Sequence, residues 1–570
     1  MVTKELASRG LLTLAAVAIG FAAADTYVVV LALPDMMTAA GLTVDDLQRA
    51  APIISGFLLG YVAVLPLIGR VSDLRGRVPV LMGCLVIFAI GSVVTAAGYD
   101  LTTIVLGRLV QGIGGGGLIP PTLALIADTW PPERRGLPLG VVGAVQELGS
   151  VIGPLWGAAI LAFGTWREIF WVNAAVGLVI GAALLRHRPT ERERRRLDVP
   201  GLVLAVAAGA CLLLVMVEPD RLTTGVTSGL AFLPVTGDSR WLTPVALTGF
   251  AFVLGFLVRQ ATAATPLLDW RGWGEIARET DLWGAAALTV ALGAVIVTFA
   301  SAEPENAALS EDAIVLLPVA AVALALFVWR GRQADNPLIP RGSLTSTPAW
   351  GSIAVSFFVG AALIAALVDI PFFARITIAP DDQLEAALVL VRFLVALPVG
   401  AVLGGWLLRR WAPAPLTGAA LVLSGACFLV MARWDASSLE SVWATVVLAA
   451  CGLGFGLAIA PVNAVLLEHT ADDVHGLASA LLVVARMVGM LIGISALTTI
   501  GLRAFHSAVA GLPPVEELCG DTASCGAYTT AMRDAGIAQL QAVFTGAAVA
   551  AFIGAALALL LLRRRATFSW

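Results

Sequence analysis

GLPLGVVGAVQELGSVIGPLWGAAILAFGTWREIFWVN, residues 136–173, is a largely apolar stretch with a carboxylate, Glu147, near its middle. A charged carboxylate at bilayer depth costs on the order of 3 kcal/mol, so Glu147 is a candidate functional residue. Gly149, Gly153 and Pro154 follow it. Proline kinks a helix by removing a backbone donor, and glycines let a neighbouring helix approach closely. We therefore expect a hinge here, in a membrane helix that moves and handles protons rather than a static anchor.

The composition extends this inference to the whole chain. Of the 570 residues, 59% are hydrophobic and 13% are charged, and the mean hydropathy is +0.92. A soluble chain of this length needs far more polar surface, so the predicted fold class is an all-α polytopic membrane protein. The sequence has no nucleotide-binding loop or metal-ligand cluster. We expect no enzymatic activity, no metal, no cofactor other than a proton gradient, and no nucleic-acid partner.

Apolar runs long enough to cross a bilayer occur about sixteen times. They predict a six-helix bundle over residues 1–197, about four inserted transmembrane helices over 198–345, and a second six-helix bundle over 346–570. Most of the 35 arginines and lysines fall in alternate loops. Because cytoplasmic loops carry the excess of positive charge, both termini are predicted to be cytoplasmic.

The two predicted bundles repeat one another. On the register that the glycines give, Arg486 corresponds to Gln146, next to Glu147. Two six-helix halves with a site between them are a recurring transporter plan. The matched positions are Gly136 with Gly476, Gly149 with Gly489, Gly153 with Gly493, Gly69 with Gly405, and Asp25 with Asp369.

The inserted block has a weaker repeat of its own. FLVRQATAATPLL (256–268) is similar to VWRGRQADNPLIP (328–340), and each segment closes a pair of apolar runs. Either the pair is duplicated, or the two segments are alike because both end at the inner membrane interface.

GRVSDLRGR (69–77) is the strongest short motif, and we call it the latch loop. Gly69 and Gly76 permit a tight inner turn, and Arg75 and Arg77 supply positive charge. Asp73 is able either to cap a helix N-terminus or to pair with an arginine across the interface of the halves, which would stabilise the outward-facing state. The alternative is a generic basic loop.

These motifs resemble those of the major facilitator superfamily. The latch loop is similar to the family's loop between helices 2 and 3, although the last position, usually basic, is Val78 here. LGRLVQGIGGGG (106–117) resembles the fourth-helix motif, and ELGSVIGPLWG (147–157) the fifth-helix motif of antiporters. The resemblance implies the major facilitator fold, a monomer, and an arginine, Arg108, that is linked to proton transfer.

The buried charges suggest a coupling mechanism. Our hypothesis is that Asp25, Glu147 and Arg486 form a switchable charge network, in which protonating a carboxylate releases the arginine and favours the other conformational state. Arg108 is the competing partner for Glu147. The alternative for Asp25 is a purely structural role, as a helix-end residue that pairs with a neighbour. For Asp369 and Arg392 the choice lies between a second pair in the other half and a purely structural ion pair.

Longer strings resemble the actinobacterial, mycobacterial-type triacylglyceride exporters, which work beside a periplasmic lipoprotein carrier. They are ADTYVVV (24–30), AVQELGSVIGPL (144–155) and ASALLVVARMVGMLIG (478–493). The resemblance implies a protein of the bacterial inner membrane that exports a triacylglyceride-like lipid in exchange for protons, with such a carrier as partner. It also implies two linker helices where this chain has about four. The alternative is a multidrug–proton antiporter that exports lipophilic or cationic drugs.

The extended outer segment, about 503–538, belongs to the same resemblance. Within it, Cys519 and Cys525 close the polar loop CGDTASC, on the side of the membrane where a disulfide is able to persist. They are a candidate disulfide. The segment is either a passive lid or an extension that reaches for a partner or a lipid carrier.

Overall fold

The computed structural model describes residues 2–42, 47–187, 198–263, 266–267, 274, 276, 279–300, 312–378, 383–513, 517, 519 and 525–563. Its long elements are all helices, and no strand occurs within these residues. In chain order they are α1 (Val2–Ala39), α2 (Leu47–Ala63), α3 (Leu65–Arg75), α4 (Arg77–Ala96), α5 (Leu101–Gly116), α6 (Ile119–Thr129), α7 (Gly136–Leu161), α8 (Trp166–Leu184), α9 (Val199–Val217), α10 (Pro244–Thr262), α11 (Leu282–Ala300), α12 (Ala313–Gln333), α13 (Thr347–Thr377), α14 (Gln383–Leu394), α15 (Ala396–Leu407), α16 (Pro413–Met431), α17 (Val442–Glu468), α18 (His475–Ala510) and α19 (Gly526–Leu561).

Thirteen of these helices or straight helix pairs are long and apolar enough to cross a membrane, counted over the described residues. The pair α2/α3, which bends by 41° next to Pro66, makes a fourteenth. α1 and α7 are two further long helices. They are not included in that count because some of their side chains lie outside the described residues. The predicted all-helical membrane fold, with two six-helix bundles and four helices between them, is confirmed. The exact boundaries at residues 197 and 345 stay predictions.

Each bundle is held together by close contacts between its first and fifth transmembrane helices. In the amino-terminal bundle, Gly149 and Gly153 of α7 lie so close to the backbone of α1 that added Cβ atoms would overlap Gly20 and Ala24. The absence of a side chain at these glycines therefore lets the two helices pack closely, as is typical of membrane helix pairs. Their counterparts Gly489 and Gly493 pack in the same way against Phe357 and Ala361 of α13.

This packing corrects the predicted match between Asp25 and Asp369. Since Ala24 corresponds to Ala361, the residue opposite Asp25 in the repeat is Ala362, and Asp369 lies about two helical turns further along α13. The sequence match compared isolated acids in apolar helices. The glycine contacts, which fix how the helices slide against each other, define the true register.

The four inserted helices form two hairpins, each closed by an aspartate–arginine pair at the end that the arginine distribution predicts to be cytoplasmic, which we call the inner end. In α9/α10, Asp198 accepts from the backbone N–H of Gly201 (3.2 Å) and from Nε of Arg259 (3.0 Å). In α11/α12, Asp281 accepts from the N–H of Gly284 (3.0 Å) and from Nε of Arg330 (3.0 Å). The shared geometry favours duplication. However, Arg330 is two residues away from Arg332, which the sequence repeat aligns with Arg259.

The two hairpins are attached differently. α11 packs between α2 and α18, one helix from each bundle, and Thr289 donates to the carbonyl oxygen of Ala63 (3.1 Å). The hairpin α9/α10 touches the amino-terminal bundle at the opposite end. There Trp241 donates to the Tyr99 hydroxyl (3.0 Å), and the guanidinium carbon of Arg240 lies 3.7 Å from the centroid of the Tyr99 ring.

α18 and α19 are 36 residues each, which corresponds to about 54 Å at 1.5 Å per residue. The hydrocarbon core is only about 30 Å thick, so both helices extend well beyond it. Between them, Cys519 and Cys525 are joined by a disulfide.

Candidate functional site

A buried ion pair joins α1 and α5 in the amino-terminal bundle. Nη1 of Arg108 donates to Asp25 (2.7 Å) and to the amide oxygen of Gln111 (2.7 Å). The amide nitrogen of Asn173, from α8, donates to the other carboxylate oxygen of Asp25. Arg108 is 1% exposed and Asp25 is 3% exposed. Both oxygens of the carboxylate are therefore satisfied, as a buried charge requires.

Local packing places Arg108 beneath an aromatic ring. A Cβ on Gly112 would overlap the carbonyl oxygen of Phe57, so α5 lies directly against α2. The guanidinium carbon of Arg108 is then 4.3 Å from the Phe57 ring centroid, a cation–π distance. Nε also lies 3.4 Å from the carbonyl oxygen of Ile53. The arginine is held by aromatic, carboxylate and carbonyl groups together.

A second acid–arginine pair crosses from one bundle to the other. Nη1 of Arg486, in α18, lies 3.9 Å from a carboxylate oxygen of Glu147, in α7. The side chains are 9% and 14% exposed, and Nε of Arg486 is buried without a hydrogen-bond partner within the described residues. This pair is longer and less completely satisfied than the first, so it is the weaker of the two.

These contacts change the predicted network. Asp25, not Glu147, is the partner of Arg108, and Asp25 does not meet Arg486. In this conformation the predicted three-residue network is therefore divided into one pair inside a bundle and one pair between bundles. Spacing in the sequence identifies the charged residues but leaves their partners open, because the three helices are far apart in the chain.

Asp369 and Arg392 do not form the second pair that the sequence suggested. Among the described residues no ion pair joins them, and Nη1 of Arg392 donates instead to the hydroxyl of Thr445 in α17 (3.2 Å). Arg392 lines a cavity of about 530 Å³, together with Glu385 and Glu440.

The latch loop closes the inner ends of the bundles against each other. The carboxylate of Asp73 accepts from the backbone N–H groups of Gly476 (2.8 Å) and Leu477 (3.0 Å), in the first turn of α18. A helix N-terminus carries free N–H groups and partial positive charge, so an aspartate stabilises it. Arg77 pairs with the same carboxylate. The helix cap predicted for Asp73 is thus present, whereas the alternative, a pair with an arginine across the interface, is not seen, because the arginine that Asp73 binds comes from its own bundle.

Arg77 extends the contact to a third helix, because its Nε also donates to Asp128 of α6 (2.9 Å). Arg75 ends α3. Gly76, between α3 and α4, has a φ of 94°, a conformation that favours glycine.

Glycines bring the bundles into direct backbone contact at the same end. A Cβ on Gly69 would lie 2.6 Å from the carbonyl oxygen of Gly476, and one on Gly136 would lie 2.6 Å from that of Gly405. Larger side chains at these positions would force the inner ends apart. The contact between the bundles is closed at the end that the arginine distribution assigns to the cytoplasm.

The hinge stays a prediction. α7 is continuous from Gly136–Leu161, and Gly149 and Gly153 pack against α1. The side chain of Pro154 lies outside the described residues.

Several site residues were not predicted. Asn173, Asp128 and His475 all join these contacts. Their only sequence signal is a polar residue inside or at the end of an apolar helix, which many structural residues share. Within the described part of the chain, no group of three or more metal-ligating side chains is placed to hold a metal ion.

Comparison with known proteins places this geometry in a family. The profile of the Major Facilitator Superfamily matches residues 15–329. The triacylglyceride transporter of Mycobacterium tuberculosis is 34% identical over 567 residues, which cover 95% of this chain and 92% of the relative. That of Mycobacteroides abscessus is 33% identical over 495 residues, covering 85% of this chain and 80% of the relative.

Solved structures agree at the level of the fold. The human organic anion transporter superposes with a TM-score of 0.53 at 16% identity, covering 97% of this chain and 99% of that one. A proton:xylose symporter gives 0.51 at 13% identity, with 96% and 94% covered.

Proposed function

Because the chain belongs to the major facilitator superfamily and is a transporter, we propose that it exports a triacylglyceride-like lipid from the bacterial inner membrane, toward the periplasm and outer envelope, in exchange for protons. The observation that carries the lipid class is the alignment, over 95% of this chain, with relatives that are named triacylglyceride transporters. The inner-side closure by the latch loop supports alternating access between two conformations.

Proton exchange is assigned to the two acid–arginine pairs. Protonating Glu147 removes its charge and releases Arg486, and because this pair joins α7 to α18, its loss weakens the contact between the bundles. The Asp25–Arg108 pair lies within one bundle. A proton on Asp25 therefore changes the packing of α1, α5 and α8 rather than the contact between bundles, and we assign it the role of proton carrier.

The lipid reaches the site sideways. α11 covers the side of the molecule between α2 and α18. On the opposite side, α7 meets α15 through close backbone contacts, with Gly140 against Ala401. Separation of these two helices would open a lateral path that an apolar molecule can use without crossing water. The extensions of α18 and α19 would hand the lipid to a periplasmic lipoprotein carrier, with the transporter working as a monomer.

Lipid analysis tests the proposal. The gene is deleted in its host and restored as wild type, as Glu147→Gln, or as Glu133→Gln, a matched change at an exposed carboxylate. Triacylglycerides are then quantified in the inner membrane and outer envelope by mass spectrometry. We expect accumulation in the inner membrane that the wild type and Glu133→Gln correct and Glu147→Gln does not.

An unchanged lipid distribution in every strain would rule out the lipid substrate. Drug susceptibility of the same strains would then test the alternative, a multidrug–proton antiporter. Correction of the lipid defect by Glu147→Gln would leave the substrate in place but remove the proposed coupling role of the Glu147–Arg486 pair.

A further inference from the structure

His475 lies where α18 begins, inside the contact between the bundles. Its side chain is 1% exposed. Nε2 is 3.0 Å from the carbonyl oxygen of Leu467, which can only accept, so Nε2 carries a proton. Nδ1 has no hydrogen-bond partner within the described residues, and it lies 4.0 Å from a carboxylate oxygen of Asp128 in the other bundle.

Charged groups from each neighbouring element surround this imidazole. Asp73 and Arg77 come from the latch loop, and Arg77 already binds Asp128. Asp472, which precedes α18, is 93% exposed and lies 3.7 Å from Nε2. Two further arginines bind backbone carbonyls: Arg70 binds that of Asp473 (3.3 Å) and Arg135 that of Leu467 (3.4 Å). The carboxylate that faces the unbonded nitrogen, Nδ1, is that of Asp128.

We propose that His475 is a proton-sensing positioning residue, which closes the inner contact more firmly when its imidazole takes up a second proton on Nδ1. In the neutral ring, Nδ1 presents a lone pair to the Asp128 carboxylate. In the imidazolium it presents an N–H and a positive charge, so a small approach creates a charge-assisted hydrogen bond between the bundles.

The direction of the effect follows from linkage. The bond between the protonated His475 and Asp128 can form only while the bundles are in contact, so protonation adds an attraction to the closed conformation that the open one lacks. Acid on the inner side therefore shifts the population toward the closed conformation. The Asp128 side chain is 39% exposed, which gives the proton a path from solvent. This inference rests on the alternating-access part of the proposed function and is independent of the substrate.

The test measures closure directly in the full-length protein. Spin labels are attached at Glu133→Cys and Arg410→Cys, which are exposed at the inner ends of opposite bundles, in lipid nanodiscs. The ratio of closed to open populations is read from the distance distribution between about pH 8 and pH 5.5, the range in which histidine changes charge. We expect the wild-type ratio to rise roughly two- to fivefold with acid, the size expected for a partly exposed ion pair.

His475→Gln is the decisive variant, since its amide can still donate to Leu467 but cannot become charged. It should lose this rise. His469→Gln is the matched control: this histidine lies at the same end, but its ring bonds Val465 in its own helix (3.0 Å), so the rise should remain. If His475→Gln does not fold, Asp128→Asn tests the same bond from the other side.

Two results would overturn the inference. One is a wild-type pH response that His475→Gln retains. The other is an acid response in the opposite direction that His475→Gln abolishes, because repulsion from Arg77 would then dominate. Failure of the lipid assay with a normal response here would instead remove the proposed substrate alone.

Discussion

Asp25 and Glu147 are both carboxylates in apolar helices, but they differ in the number of their partners and in the distance to them. Asp25 has partners from two other helices and is fully satisfied. Glu147 has one arginine at 3.9 Å, across the interface. A fully bonded pair resists change, whereas a long, incompletely bonded pair between moving bodies separates at a low cost. The sequence identifies both acids by their depth in apolar helices, but their partners depend on how the helices pack.

The first prediction concerns the buried pair. Arg108→Gln should lower the free energy of unfolding by about 3–5 kcal/mol, because it leaves Asp25 buried without its counter-charge. Arg533→Gln should change it by no more than about 1 kcal/mol, since its pair with Asp534 is exposed. Unfolding in detergent, followed by tryptophan fluorescence, compares the two. Equal losses in both variants would show that the Asp25–Arg108 pair is not structurally important.

The second prediction concerns the pair between bundles. Glu147→Gln and Arg486→Gln should each remove the dependence of lipid export on a pH gradient, and the double variant should be no worse than either alone, because both remove the same interaction. Export from proteoliposomes with and without an imposed gradient measures this, with Glu133→Gln as control. Additive losses in the double variant would mean that the two residues act separately.

At the scale of the helix, the latch loop is a capping interaction that joins two bodies. Its glycines and aspartate follow a recognisable spacing, so the existence of an inner latch could be predicted from sequence. The exact partners could not, because the N–H groups that Asp73 binds are backbone atoms of α18, about 400 residues later, and backbone donors have no sequence signature.

The third prediction tests this cap. Asp73→Ala should lower the ratio of closed to open conformations roughly fivefold, because a cap lost by replacement with alanine is worth about 1 kcal/mol. Asp100→Ala is the matched control: Asp100 caps α5 by accepting from the N–H of Thr103 (2.8 Å), but within one bundle. It should cost stability without opening the inner contact. The spin-label distances described above report the ratio, and equal opening in both variants would contradict the role of the latch.

At the scale of the whole molecule, the sequence predicts the number of helices and their division into two halves, because apolar runs and glycine spacing are properties of single segments. The match of Asp25 with Asp369 was wrong because apolar helices remain similar when one is shifted along the other, and only the contacts of Gly149 and Gly489 fix the shift. The attachment of the inserted hairpins likewise depends on packing between segments.

The last prediction separates those two hairpins. Only 22% of the apolar segment of α9 and 17% of that of α10 is buried inside the protein. The buried share is 44% in α11, which touches both bundles. Deletion of residues 198–263 should therefore leave the melting temperature and lipid export close to wild type. Residues 185–197 and 264–281 remain as the connection between α8 and α11, and a chain of this length can extend to about 100 Å.

Deletion of residues 281–333, the second hairpin, should instead lower the melting temperature and abolish export, since it removes the contact that α11 makes with α2 and α18. The two hairpins have the same aspartate–arginine pair at their inner ends and differ in where they pack, so a difference between the deletions reports on the packing. If the first deletion proved as damaging as the second, α9 and α10 would have to contribute to transport through their lipid-facing surface. A stabilising scaffold role confined to α11 and α12 would then be wrong.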